Sequence, residues 1–489
     1  MRVRMVWALA ASLAAGLDGA PLDQQIMRLL DATPAARGAF WGIQAVNLST
    51  GKTIYSHNAN RLFVPASNAK LFTAALALDR LGPDFRFHTR VLAAAPPDSE
   101  GRIEGPVRLM GGGDPNLSAR SVPYRNGPTT GNPLAAIEDL AAQIVAHGVT
   151  RIEGGIIGDD TWYVWEPYPA GWAVDDVEYD YGAPVSALTI NDNALSLTVH
   201  PAAQAGGLAE ISLAPPLEYY VIDNRLRTVE AGGEQDIHFD RQPGSRQLRL
   251  WGTVPVRAAG ETMILAIDDP AEYAARALRQ ALENRGVTVT GRVAVEHRFP
   301  NEESRELAGF ELVHRISAPL LDDLGITAKV SQNLHAELAL RAVARARRNI
   351  GSRQAGLEEL KAYLGGLGIE ADAYSFSDAS GLDRTDLVSP AAIVKLLRHM
   401  YASSLRENWM ALLPVGGQDG TLSNRFAGGP VAGRIHAKTG SLTHVTSLSG
   451  YAERPNGEWL AFSILVNNHN GRAAEVRSII DRICTLIVE

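Results

Sequence analysis

A long apolar run starts just after Lys70, where Leu71, Phe72, Ala74, Ala75, Leu76, Ala77 and Leu78 leave almost no polar face before Gly82-Pro83 ends it. This pattern predicts a helix buried on every side, whose first turn the core holds still. Leu334, Leu338, Ala342 and Val343 mark one face of a second helix. Near the C-terminus Val476, Ile479, Ile480, Ile483 and Ile487 do the same for a third. Strand periodicity appears at 445–452 and 459–466, alternating about the turn Pro455-Asn456-Gly457, with 434–441 as a neighbouring edge strand.

Two textures follow. Residues 17–90 and 316–489 mix strands with Ala/Leu-rich helices, the pattern of an α/β sandwich of sheet and helices. Between them lies a long insertion. Residues 91–198 and 265–315 carry strand-like pieces at 106–110 and 155–158 and helical stretches at 134–147 and 270–285, predicting an inserted α/β domain. Residues 199–264 read as short alternating strands with Gly turns, a small β domain nested inside it.

Composition narrows the function classes. The 489 residues exceed what one hydrophobic core usually supports. A net charge of −8, with no basic run or aromatic ladder, argues against a nucleic-acid partner. Arg2 and Arg4, then apolar residues 5–15 and small residues, predict a secretory signal peptide over 1–16, cut after Ala14 or Gly16. That segment is too short to span a bilayer, and with no Cys beside it no firm membrane anchor is expected. Cys484 is the sole cysteine, which excludes an intrachain disulfide and suits core packing.

The candidate chemistry lies at element ends. Ser67 and Lys70 are three apart, so on a helix the hydroxyl and amine meet. Unpaired N–H groups at a helix start favour negative charge developing on a substrate oxygen. A serine needs a nearby base, and burial beside a second cation, for which Lys438 is the natural choice, would lower the Lys70 pKa enough to serve. Ser-x-x-Lys alone occurs by chance in long chains. Here it is followed in order by Ser331-Gln332-Asn333, in the turn before a helix, and by Lys438-Thr439-Gly440-Ser441 on the edge strand. Ser331 could relay a proton between Lys70 and a departing amine, and Asn333 could hold the lysine and a peptide carbonyl. Alone, the Ser331/Asn333 pair reads better as helix capping. An edge strand pairs with an extended peptide, so Lys438 and Thr439 would meet a terminal carboxylate and Gly440 would permit close approach. The Ser441 and Ser67 N–H groups would then form an oxyanion hole.

Other readings fail on spacing. A phosphate loop needs glycines where Ala432 and Ala437 stand. His335, His436, His444 and His469 lack metal-ligand spacing, so neither metal nor cofactor is expected, and these histidines read as surface or supporting residues. The aromatics Trp162, Tyr163, Trp165, Tyr168 and Trp172 suit packing between domains better than sugar stacking. Gly111-Gly112-Gly113 reads as a tight turn.

With these motifs the chain resembles the class C low-molecular-mass penicillin-binding proteins, D-alanyl-D-alanine carboxypeptidases that also act as endopeptidases on peptidoglycan. Leu109 to Pro115, Gly158-Asp159-Asp160, Tyr181 to Leu188 with Asn191 and Asn193, Asp378 to Leu382 with Arg384, and Gly417 to Leu422 carry the resemblance further. It implies a serine transpeptidase/β-lactamase-like α/β sandwich interrupted by two inserted domains, the inner one mainly β. It also implies acylation of Ser67 by peptidoglycan stem peptides ending in D-Ala-D-Ala, slow-leaving adducts with β-lactam antibiotics, and a periplasmic or cell-wall location. Whether Lys70 is the direct base or works through Ser331 stays open at this level. The resemblance places Trp172, Asp175, Arg384 and Leu442 around the free end of a diaminopimelate side chain, Asp175 facing an ammonium and Arg384 a carboxylate. A β-lactamase lacks so long an insertion between its first two motifs, and a non-catalytic wall-binding protein has no need for Ser67, Lys70, Ser331 and Lys438 together.

Overall fold

A computed structural model describes residues 20–303 and 309–489; the expected signal peptide lies outside them. Its centre is a five-stranded antiparallel sheet in the order Ile435–Leu442, Val445–Glu453, Trp459–Asn467, Phe40–Asn47, Thr53–His57. The middle strand Trp459–Asn467 is buried along nearly its whole length, so the alternation expected of it gives way to burial on both faces. One face is covered by the helices Leu22–Ala32 and Ala473–Val488, with Ile480, Ile483 and Cys484 packed against Leu448, Phe462 and Ile464. The other face meets the helices Ala69–Leu81, Asn333–Arg348, Arg353–Gly366 and Pro390–Ala402. The helix Ala69–Leu81 buries every residue from Ala69 to Leu78, as its lack of a polar face requires.

The insertion has its own core. A second five-stranded sheet runs Ala294–Arg298, Ile156–Val164, Val107–Met110, His88–Ala93, Phe310–Ile316, packed against the helices Ala135–Ala146 and Pro270–Glu283. Two three-stranded sheets follow, one from Ala194–His200, Glu210–Ala214 and Glu261–Ala266, the other from Val221–Val229, Asp236–Asp240 and Gln247–Pro255. The boundary expected at residue 90 therefore falls inside a strand of the inserted sheet, because His88–Ala93 pairs with Phe310–Ile316. Likewise the first and last strands of the small β region start at Ala194 and end at Ala266, beyond the 199–264 expected.

The aromatic stretch packs, as its residues suggest. The Arg345 guanidinium lies 4.0 Å from the Trp162 ring centroid, and Trp165 stacks on His297. Two of the triple glycines are set by close approach, since a Cβ at Gly111 would lie 2.3 Å from Ala187 O and one at Gly112 2.0 Å from His88 O. Of the four histidines, His335 and His469 are buried, His335 completely, and so are not surface residues. Among the described residues no helix is long and apolar enough to cross a membrane.

Candidate active site

Ser67 lies in the 3-10 turn Ala66–Asn68, and Lys70 in the first turn of the helix that follows. Lys70 Nζ is 2.9 Å from Ser67 Oγ, 2.5 Å from Asn333 Oδ1 and 2.7 Å from Ser380 O. Two of these three contacts are carbonyl oxygens, which can only accept. A neutral amine has two N–H bonds and one lone pair, so the carbonyls take both protons and the lone pair faces the Ser67 O–H. Burial pushes the Lys70 pKa down to about 7, against the opposing charges of Asp378, Glu337 and Asp386. A pKa of about 7 leaves a substantial share of the lysine neutral at neutral pH.

Ser331 adopts φ 65°, the left-handed region, and its Oγ accepts from Lys438 Nζ at 2.8 Å. The second motif is not wholly in a turn as expected: Asn333 opens the helix Asn333–Arg348, and the cap is Gln332, whose side chain accepts from Leu334 N at 2.8 Å. Asn333 is thereby freed for Lys70, while its Nδ2 donates to Tyr181 O at 2.8 Å. Lys438 is fully buried, and desolvation, then the charge of Lys70, push its pKa well below the ordinary lysine value. The charge of Lys70 lowers the Lys438 pKa, but at Lys70 itself the lowering comes from desolvation and not, as expected, from Lys438.

The third motif occupies the sheet's outer strand. Its first half is covered, since Gly416 N donates to Ile435 O and Ala437 N to Pro414 O. Among the described residues no strand pairs with the outer side of Lys438–Leu442, so the free edge coincides with the motif. Gly440 passes so near the first motif that a Cβ there would lie 3.0 Å from Ser67 N and 2.9 Å from Pro65 O. Ser447 on the adjacent strand ties the same turn by donating to Pro65 O at 2.7 Å. Thr439 Oγ1 meets Thr421 Oγ1 at 2.9 Å, and Ser441 is exposed on the strand. Ser67, Lys70, Ser331, Asn333 and Lys438 thus converge on one opening, with Ser67, Ser331 and Thr439 half-buried at its mouth.

Of the residues expected to set side-chain preference, Trp172 and Leu442 pack together with Val177 and Leu382. Trp172 is buried and its Nε1 donates to Asp378 Oδ2 at 2.9 Å. Arg384 is exposed and donates to Thr443 O beside Leu442. Asp175 is also exposed; its neighbour Asp176, raised by burial, lies in the field of both Asp175 and Arg384.

Sequence reasoning missed the support beneath Lys70. Asp378 accepts from Ser380 N, Ser380 Oγ, Gly381 N and Asp383 N, shaping the loop that aims Ser380 O at Lys70. Glu337, fully buried on the second helix, holds the same loop through Ala379 N at 2.7 Å. Its signal was present: Glu337 and Arg341 are charges four apart inside an otherwise apolar helix face. Among the described residues no group of three or more His, Cys, Asp or Glu is arranged to hold a metal.

A family model described as the D-Ala-D-Ala carboxypeptidase 3 (S13) family matches residues 22–486. The chain belongs to this family. It is a D-Ala-D-Ala carboxypeptidase by that membership, the class its motifs led us to expect. A D-alanyl-D-alanine carboxypeptidase of Actinomadura sp. is 35% identical over 471 residues, 94% of this chain and 83% of the relative. A D-alanyl-D-alanine carboxypeptidase of Haemophilus influenzae is 25% identical over 88% of this chain and 86% of its own. Among solved structures, penicillin binding protein 4 from Haemophilus influenzae superposes with a TM-score of 0.81 at 23% identity, covering 94% of this chain and 97% of that one. A structure of the same protein complexed with a β-lactam has a TM-score of 0.78 at 22% identity, covering 95% and 99%. The S13 carboxypeptidase therefore has the expected interrupted penicillin-binding α/β fold.

Proposed function

We propose that Ser67 is the acylated nucleophile and Lys70 its direct base, acting on peptidoglycan stem peptides that end in D-Ala-D-Ala. The observation that carries this reading is the setting of the Lys70 amine, where two carbonyls hold the N–H groups and Ser67 Oγ takes the remaining direction at 2.9 Å. Lys70 accepts the Ser67 proton as Oγ bonds to the carbonyl carbon of the penultimate D-alanine. The developing oxyanion rests on the N–H groups of Ser67 and Ser441. Lys438 and Thr439 hold the terminal carboxylate, and that anion favours the charged form of Lys438 that burial otherwise disfavours. Ser331, whose oxygen already accepts from Lys438, keeps its own O–H to donate as the C–N bond breaks. The proton gained at Lys70 makes good that loss within the cluster, free D-alanine leaves, and water cleaves the ester. A β-lactam acylates Ser67 in the same way, but its ring-opened leaving group stays attached.

Cleavage of D-alanyl cross-links follows from the same contacts, because that amide nitrogen also sits on a carbon bearing a carboxylate. Trp172, Asp175, Arg384 and Leu442 line the side-chain end of the cleft, with Arg384 for a carboxylate and Asp175 for an ammonium. Residues 17–90 and 316–489 are assigned to the catalytic unit, 91–198 and 265–315 to the inserted α/β unit and 199–264 to the small β unit, with edges drawn to the nearest strand ends. The signal peptide would place the enzyme in the periplasm or cell-wall space. Incubation with a fluorescent penicillin and then a D-Ala-D-Ala peptide tests the assignment: Ser67→Ala should take up no label and release no D-alanine. A variant that still labels covalently refutes the nucleophile, and rapid turnover of penicillin by the native chain would make it a β-lactamase.

A further inference from the structure

The second motif is braced from the insertion, and one carboxylate and one backbone carbonyl make the brace. Asn191, Asp192 and Asn193 form three consecutive left-handed residues, with φ of 47°, 55° and 52°. Such a run of non-glycine residues persists only where its surroundings over-determine it. Here Asn191 Nδ2 donates to Ala194 O, Asn193 Nδ2 donates to Pro184 O and Asn193 Oδ1 accepts from Ile190 N. The turn so fixed aims the Asp192 side chain at the catalytic helix. Asp192 accepts from Arg120 of its own unit, from Gln332 Nε2 at 3.2 Å and from His335 Nε2 at 3.2 Å. His335 is fully buried, with Asp323 2.7 Å from its other nitrogen.

Gln332 is the middle residue of Ser331-Gln332-Asn333. Its Oε1 is already committed to the Leu334 N–H, so Nε2 is the end available to Asp192. Both ends of one amide are then fixed, and the backbone on either side with them: Ser331 in its left-handed conformation toward Lys438, Asn333 toward Lys70. Tyr181 O, from the same inserted stretch, holds the far end of Asn333. We propose that Asp192 is a positioning residue of the reaction, setting Ser331 and Asn333 through Gln332, so that the insertion is part of the catalytic apparatus and not only a frame for the cleft. This rests on the roles given above to Lys70, Ser331 and Asn333.

The test is steady-state cleavage of a D-Ala-D-Ala peptide together with fluorescent penicillin acylation, on the full chain. Asp192→Asn keeps the size and the tolerance of left-handed backbone but has one acceptor oxygen where Arg120 and Gln332 share Oδ2 and His335 takes Oδ1, so its amide nitrogen must face one of these donors. Gln332→Glu keeps the cap on Leu334 and puts two carboxylates face to face. Each should lower kcat about tenfold or more, the scale of a small misplacement, with KM within about twofold. The double variant Asp192→Asn/Gln332→Glu restores a donor and an acceptor and should recover most of the loss, which a purely structural role does not foresee. Glu166→Ala, which removes an inter-unit bond to Arg353 N away from the motif, should leave kcat and KM unchanged. Wild-type kcat in either single variant, or singles that add without rescue, overturns the proposal. If Asp192→Asn fails to fold, Gln332→Glu and the double variant still decide it. Absence of acylation in the wild-type chain would instead overturn the proposed function, a separate outcome.

Discussion

At the scale of single residues, the decisive quantity is the charge on Lys70. Its environment contains three buried carboxylic acids that favour the ammonium and a desolvation cost that outweighs them, leaving a pKa of about 7. Below that value the lone pair is protonated and Ser67 has no acceptor. Acylation by penicillin should therefore rise with pH along a limb centred near 7 and level off above it; second-order labelling rates across about pH 5–9 measure this. A rate independent of pH in that range would remove Lys70 from the role of base. Ser67, Lys70, Ser331 and Lys438 were legible as residues because their chemistry is carried by side chains at fixed offsets. Ser380 was not, since it meets Lys70 with a backbone carbonyl, a group every residue has. Asp378 likewise acts on main-chain N–H groups, and its position under the lysine depends on packing across more than 300 residues of chain.

At the scale of elements, the C-terminal hairpin and the helices Ala69–Leu81, Ala135–Ala146 and Pro270–Glu283 followed from periodicity, whereas Asn333–Arg348 runs five residues past its marked face and helices such as Arg353–Gly366 and Pro390–Ala402 were not foreseen. The pairing of Phe40–Asn47 with Trp459–Asn467 did not follow either, because strands that meet from opposite ends of a chain leave no local signal. Nor did the register that seats Gly440 over the Ser67 turn. A side chain at 440 would meet Ser447 Oγ at 2.2 Å, Pro65 O at 2.9 Å and Ser67 N at 3.0 Å. Ser447 can swing aside, whereas the other two atoms are backbone and must separate from the strand. Gly440→Ala should thus cost about 1–3 kcal/mol of stability by overpacking and lower acylation about a hundredfold by widening the gap between strand and serine. Adding Ser447→Gly should not restore activity. Acylation within about twofold of wild type in Gly440→Ala would show that the spacing of strand and turn is not critical.

At the scale of the molecule, the insertion meets the catalytic helices through apolar contacts, such as Tyr163 and Val185 with Leu334 and Leu338, and through a buried polar cluster. Arg341 lies at its centre, almost fully buried, paired with Glu337 at 3.1 Å on its own helix and donating to Glu166 O of the insertion at 3.0 Å. Glu337 is itself pushed up to about 7, by burial first and the charge of Asp378 second, with Arg341 opposing both. A carboxyl raised in the fold binds its proton there while the unfolded chain has released it, so stability falls as pH rises from the ordinary Glu value toward 7. Without Arg341 the folded Glu337 pKa moves higher still, and the fall extends further. Arg341→Leu should accordingly destabilise by about 3–5 kcal/mol at pH 8, the cost of stranding one partner of a buried pair. At pH 6, where Glu337 is largely neutral in both proteins, the loss should be clearly smaller. Urea denaturation of the two proteins at both pH values measures the difference. Equal losses would mean that Arg341 joins the units through its bond to Glu166 O and its packing alone, with no contribution from the charge on Glu337.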